Sequence, residues 1–155
     1  MRMIGLMTSA FLLAPGIAVA CPDISLDGAG MSYTATELYS PKTFAVIAGG
    51  NENLDNCKIR TPTGDVPTGY VATAPDFELW FESNGQYDLE FRIDSECDSV
   101  LLINTAAGNF YFDDDDNGNL DAKIRLRAPS QGLYDIWIGT LGSATCDAQL
   151  TIESF

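Results

Sequence analysis

A chain of 155 residues is long enough for one domain with a real core, and this one carries 22 Asp+Glu against 8 Lys+Arg, a net charge of −14. Charge of that sign repels nucleic-acid phosphate and anionic membranes, so no nucleic acid and no membrane insertion are expected; a secreted protein, a divalent cation or a neutral polysaccharide remain as partners. The sequence has no histidine, which removes the usual general base near neutral pH, the Ser-His and Cys-His pairs and most zinc chemistry, so the chain is expected not to be an enzyme.

Met1-Arg2 supplies a positive charge, Met3 to Pro15 is mostly apolar, and Ala18-Val19-Ala20 is a small-x-small cleavage pattern. Residues 1–20 therefore read as a secretory signal peptide cut before Cys21, its apolar run too short for a mature transmembrane helix. The protein is expected to be secreted or periplasmic, with residues 21–155 as a single domain. Cys21, Cys57, Cys97 and Cys146 form an even set, which in an exported chain reads as two disulfides. Four cysteines allow three connectivities, of which Cys97 with Cys146 and Cys21 with Cys57 is preferred on strand parity. A cysteine directly after the cut also raises lipidation, but Ala18 is a poor match to the Leu usual at that place.

From Cys21 to Ser40 the chain is turn chemistry around short strand-like pieces such as Ile24 to Leu26. Thr43 to Ala48 is the first firm strand, and the polar stretch that follows runs into loop composition from Thr61 to Gly69. Phe77, Leu79 and Phe81 share one face, as do Tyr87, Leu89, Phe91 and Ile93, the period of two of half-buried strands. Asn84-Gly85 between them is a hairpin signal. Val100-Leu101-Leu102-Ile103 is continuously apolar and predicts a central strand covered on both faces.

Phe110 to Phe112 precedes the acidic stretch Asp113 to Asp121, and Ala122 to Arg127 follows it, so that stretch reads as a loop between strands. Tyr134, Ile136 and Ile138 share a face of the next strand, and Cys146, Ala148, Leu150 and Ile152 a face of the last. Extending the parity of Phe91 and Ile93 through Ser95 reaches Cys97, so both Cys97 and Cys146 fall on core-facing positions. Without a helical repeat, many short strands with turns every eight to twelve residues predict an all-β fold, an antiparallel β-sandwich of jelly-roll-like form.

Three segments, Cys97 to Asn104 with its Asp98-Ser99-Val100-Leu101 strand, Gly108 to Asp115 with its Asp run, and Ala128 to Gly139 with Gly132-Leu133-Tyr134-Asp135-Ile136-Trp137-Ile138, resemble the bacterial pre-peptidase C-terminal domain. The resemblance covers roughly residues 77 to 155. It implies a jelly-roll-like module found beside secreted proteases and other exported hydrolases rather than acting as the catalyst. No catalytic domain accompanies it within this chain.

The acidic loop compares with an EF-hand calcium loop: Asp113, Asp115 and Asn117 stand at positions 1, 3 and 5, Gly118 at 6 and Asp121 at 9. Ile124 stands where the bidentate Glu belongs, so the four residues are a partial calcium site at most, and the bland alternative is a solvated turn. Trp80 and Trp137 lie opposite in parity to the core-facing residues of their strands. That parity predicts indoles on the outer faces, either exposed as a platform for polysaccharide or an anchor for a protein, or, the preferred alternative, covered by a loop such as Thr61 to Gly69 or by neighbouring side chains. The basic row Lys123, Arg125 and Arg127 is expected to pair across strands with acidic rows such as Glu78 and Glu82 or Asp88 and Glu90. The leading expectation is a non-catalytic exported module that binds or accompanies a secreted macromolecule such as a protease. A carbohydrate-binding module using Trp80 and Trp137, or a small carboxylate-based hydrolase, are the alternatives.

Overall fold

The computed structural model describes residues 21–155; the signal peptide expected over residues 1–20 lies outside them. Eleven strands follow in order: β1 (Ala29–Thr34), β2 (Lys42–Ala48), β3 (Glu52–Asn53), β4 (Tyr70–Val71), β5 (Phe77–Glu82), β6 (Leu89–Ser95), β7 (Ser99–Asn104), β8 (Phe110–Asp113), β9 (Lys123–Leu126), β10 (Gly132–Thr140) and β11 (Cys146–Ser154). They form an all-β sandwich of a seven-stranded and a four-stranded sheet. In the larger sheet β5 and then β4 flank one side of β10, β7 and β8 lie on the other, β1 pairs with β5 and β3 with β4; the smaller sheet runs β2-β11-β6-β9.

The alternating strands supply the main core. Phe77, Leu79 and Phe81 of β5, Tyr134, Ile136 and Ile138 of β10, and Leu101 and Ile103 of β7 face Leu89, Phe91 and Ile93 of β6 and Ala148, Leu150 and Ile152 of β11. Every residue of β7 is buried, because its other face meets a second, smaller core. There Val100, Leu102, Phe112 and Trp137 pack with Leu54 and Val71 from the segment that crosses outside the larger sheet. That segment lies very close: a Cβ on Gly139 would come within 2.3 Å of the Tyr70 carbonyl oxygen, so only glycine lets β4 pass there.

Three expectations change and a fourth resolves between its alternatives. The pairing is not wholly antiparallel, since β1 runs parallel to β5 with Met31 beside Leu79, and the long stretch between them provides the crossover a parallel pair needs. Ile24 to Leu26 is turn rather than strand: the Asp23 carboxylate accepts from the Ser25 backbone and hydroxyl, and Leu26 N–H donates to the Asp23 carbonyl. Asn84-Gly85 does not close a hairpin, because β5 and β6 belong to different sheets. Instead Asn84 accepts from the N–H groups of Gln86 and Tyr87, and Gly85 at φ +70° turns the chain across the sandwich. For Trp137 it is the covered alternative that holds: it points outward as its parity requires and is fully buried under the second core.

Cys21 bonds to Cys57 and Cys97 to Cys146, the preferred connectivity, and this occupies the Cys21 sulfur that lipidation would need. Two disulfides are what an oxidising compartment allows. Among the described residues no helix is long and apolar enough to cross a membrane.

Candidate functional site

The acidic stretch links β8 in one sheet to β9 in the other. Gly118, Asn119 and Leu120 take φ of +78°, +54° and +64° in succession, which curls the chain back and splits the four candidate ligands into two groups. Asp121 turns inward: the Ser95 and Ser99 hydroxyls donate to its Oδ1 at 2.6 and 2.9 Å, and the Ser95 backbone N–H donates to its Oδ2. Asn117 donates through Nδ2 to the Ile93 carbonyl at 2.6 Å. Both residues therefore staple the loop to β6 and β7, Asp121 through both carboxylate oxygens and Asn117 through its amide nitrogen.

Asp113 and Asp115 stay together, and Asp116 joins them, with carboxylate oxygens all within 4.8 Å. Asp113 already accepts from the N–H groups of Asp116 and Lys123 at 3.0 and 2.8 Å. Burial pushes the Asp113 carboxyl above its ordinary range, and burial with the neighbouring Asp115 and Asp98 charges does the same to Asp114. Of the four residues read from ligand spacing, Asp121 is turned away and spent on Ser95 and Ser99, Asp113 and Asp115 lie together, and Asn117 is held by its amide nitrogen alone.

The second candidate lies on the outer face of the larger sheet, beside the edge of the second core. Here the strand parity of β5 and β10 turns Glu78, Trp80 and Glu82 outward next to Leu133 and Asp135, with Leu133 the direct cross-strand partner of Trp80 and Asp135 that of Glu78. Trp80 is 52 % exposed and Leu133 40 %, an apolar pair left bare where the covering segment ends. On the far side of Asp135 stands Asn104 of β7. Glu78, Asp135 and Asn104 therefore form a row across three adjacent strands.

Asp135 is the anomaly in this row. It is 4 % exposed, and its Oδ1 is sealed from solvent with no hydrogen-bond partner among the described residues. Burial and then the Glu78 charge push its carboxyl up to about 6. Glu78 accepts from the Gly28 N–H, and neither acid forms an ion pair among the described residues. An unpaired buried carboxylate is costly, and a ligand that donates hydrogen bonds or positive charge relieves the cost.

Trp80 keeps the exposure its parity predicts, whereas Trp137 drops out of the binding set. Its indole packs near Phe110 and donates toward the Thr73 carbonyl at 3.4 Å. Leu133 and Asp135 were legible as outward by the same parity, but only the β5–β10 register sets them beside Trp80. The basic row serves the fold in part: Arg125 pairs with Asp88 at 3.2 Å and Glu90 at 3.7 Å and lies over the Phe155 ring. Glu78 and Glu82 take no part, being in the other sheet. On the smaller sheet's outer face a shallow hollow of about 670 Å³ is bordered by Ile47, Asp94, Glu96 and Asp147, with no sealed unpaired group in it.

No family model matches the chain, and no curated protein matches it.

Proposed function

We propose that this protein is an exported, non-catalytic β-sandwich that docks onto another secreted protein through the outer face of β5 and β10. The observation that carries the reading is the bare Trp80–Leu133 pair, two large apolar side chains in register on adjacent strands and rimmed by Glu78, Glu82 and Asp135. A central aromatic anchor inside a polar rim is the anatomy of a protein-binding surface. The two disulfides and the leader-like residues 1–20 support export. The absence of histidine supports a binding role over a catalytic one. The carbohydrate-binding alternative loses half of its platform with Trp137 inside the second core.

Tagged chain, incubated with the exported proteins of the cell that makes it, is expected to retain a partner whose recovery falls at least about tenfold with Trp80→Ala or Leu133→Ala, a loss typical of a single anchor. Ile47→Ala, an exposed apolar change on the opposite sheet, is expected to leave recovery unchanged. Recovery indifferent to both anchor changes overturns the reading. Retention on polysaccharide that depends on Trp80 replaces it with the carbohydrate one.

A further inference from the structure

We propose that the group this face recognises is an arginine side chain of the partner, its guanidinium lying over Trp80 and its N–H groups donating to Asp135 and Glu78. The inference rests on the docking face argued above and names what it reads.

Three features of the face converge on that chemistry. Asp135 Oδ1 is sealed and unpaired, so it lacks a donor. Glu78 stands beside it as its cross-strand partner and Asn104 on its other side, which makes a row of side-chain oxygens that face no cation among the described residues. Trp80 is the diagonal neighbour of Asp135 across β5 and β10, a separation of about 7–8 Å in an antiparallel pair. A guanidinium stacked on the indole lies beside that carboxylate, and to donate to the sealed Oδ1 it must displace the side chains that now exclude water from it.

Arginine fits better than the other cations. A guanidinium is more weakly hydrated than an ammonium, stacks on aromatic faces and presents parallel donors to a carboxylate, so it loses less on entering a nearly dry site. A calcium ion needs six to eight oxygens, and the backbone carbonyls beside this row are taken up in the β5–β10–β7 pairing. The overall charge of −14 draws a basic partner from a distance as well.

The site has a pH signature. Facing Asp135 are Glu78 from β5 and Asn104 from β7, with Gly30 the β1 partner of Glu78, so the titrating group beside it is a carboxyl. With Asp135 pushed up to about 6 by burial and by Glu78, protonation removes the acceptor charge and the contact weakens as pH falls through that value.

The test uses the whole mature chain and the probe N-acetyl-Gly-Arg-Gly-amide, with the citrulline peptide as its neutral isostere. Binding is followed at the two indole N–H signals by heteronuclear NMR at low salt. The arginine peptide is expected to shift the Trp80 signal saturably and leave that of buried Trp137 in place, while the citrulline peptide shifts neither. Asp135→Asn and Trp80→Ala are each expected to weaken binding by at least about tenfold, with unchanged near-UV circular dichroism showing that the fold is kept; for Trp80→Ala, signals of Leu133 report the binding instead. Glu78→Gln provides a second, milder variant with the same direction.

A Trp80 signal that does not move, an equal response to citrulline, or full affinity in Asp135→Asn overturns the proposal. So does a shift produced by calcium chloride when the arginine peptide is inert. The two readings fail separately. An inert peptide combined with partner recovery still lost in Trp80→Ala removes the arginine contact and leaves the docking face. Asp135-dependent peptide binding combined with partner recovery indifferent to Trp80 leaves the arginine site and removes the docking face.

Discussion

Asp121 shows what a single side chain does in a loop whose composition points elsewhere. Its carboxylate accepts two serine hydroxyls and one backbone N–H from β6 and β7, and it is 4 % exposed. Asp121→Ala leaves the buried Ser99 hydroxyl and the half-buried Ser95 N–H without their acceptor, while the Ser95 hydroxyl keeps the Cys97 carbonyl, and each unpaired buried donor costs about 1–3 kcal/mol. A loss of about 2–4 kcal/mol is expected in urea unfolding. Asp115→Ala, at an exposed position in the same loop, is expected to stay within about 0.5 kcal/mol. Equal losses from the two changes would mean that Asp121 is no staple. Sequence spacing grouped Asp121 with Asp113 and Asp115 because oxygen-bearing residues recurred at the right intervals. Intervals along a chain do not say which way a side chain points, and three consecutive left-handed residues, two of them non-glycine, reversed it. Leu120 is the unreadable one: nothing in a leucine announces positive φ.

At the scale of the element, the second core separates what alternation reveals from what it hides. The apolar run Val100 to Ile103 predicted a strand covered twice, and β7 is buried on both faces. The second cover, though, is built from Leu54, Ile59 and Val71, in a stretch whose strands β3 and β4 are two residues each, too short for a period of two to register. Parity therefore gave Trp137 and Trp80 the correct face without deciding their environment: Trp137 lies under the cover, while Trp80, one strand over and beyond it, stays open. Cys21–Cys57 ties this cover to the N-terminal segment, where Asp23 N–H also bonds to the Thr73 carbonyl. The bridge closes a separation of 36 residues, for which chain entropy gives about 4 kcal/mol as an upper figure. In a Trp80→Phe background, where Trp137 alone reports, Cys21→Ser with Cys57→Ser is expected to red-shift indole emission while the far-UV spectrum of the main sandwich persists. Emission that stays blue would show that the Leu54–Val71 packing holds the cover without the bridge.

For the whole molecule, the acidic balance sets a stability profile that buried carboxyls sharpen. Burial pushes Asp76 up to about 6, even though Ile138 N–H donates to it, and burial with the Glu78 charge pushes Asp135 up to about 6; Asp113 and Asp114 move in the same direction. A carboxyl raised in the fold binds its proton more tightly folded than unfolded. Between the unfolded value near 4 and the folded value near 6, the native state thus holds more protons, and stability falls as pH rises across that window and levels off above it. Asp23 and Glu37, lowered by hydrogen bonds from Ser25 and Thr34, act with the opposite sign and only in more acidic solution. Urea unfolding is accordingly expected to give a higher free energy at pH 5 than at pH 7.5, by on the order of 2–3 kcal/mol for Asp76 and Asp135 together, and Asp135→Asn is expected to remove its share. General repulsion in a chain of net charge −14 also relaxes on acidification, but it is a surface effect that salt screens within about 8–10 Å. Repeating the comparison in high sodium chloride separates the two: a pH difference that survives salt and shrinks in Asp135→Asn belongs to the buried carboxyls. One that vanishes in salt belongs to the surface and contradicts their raised values.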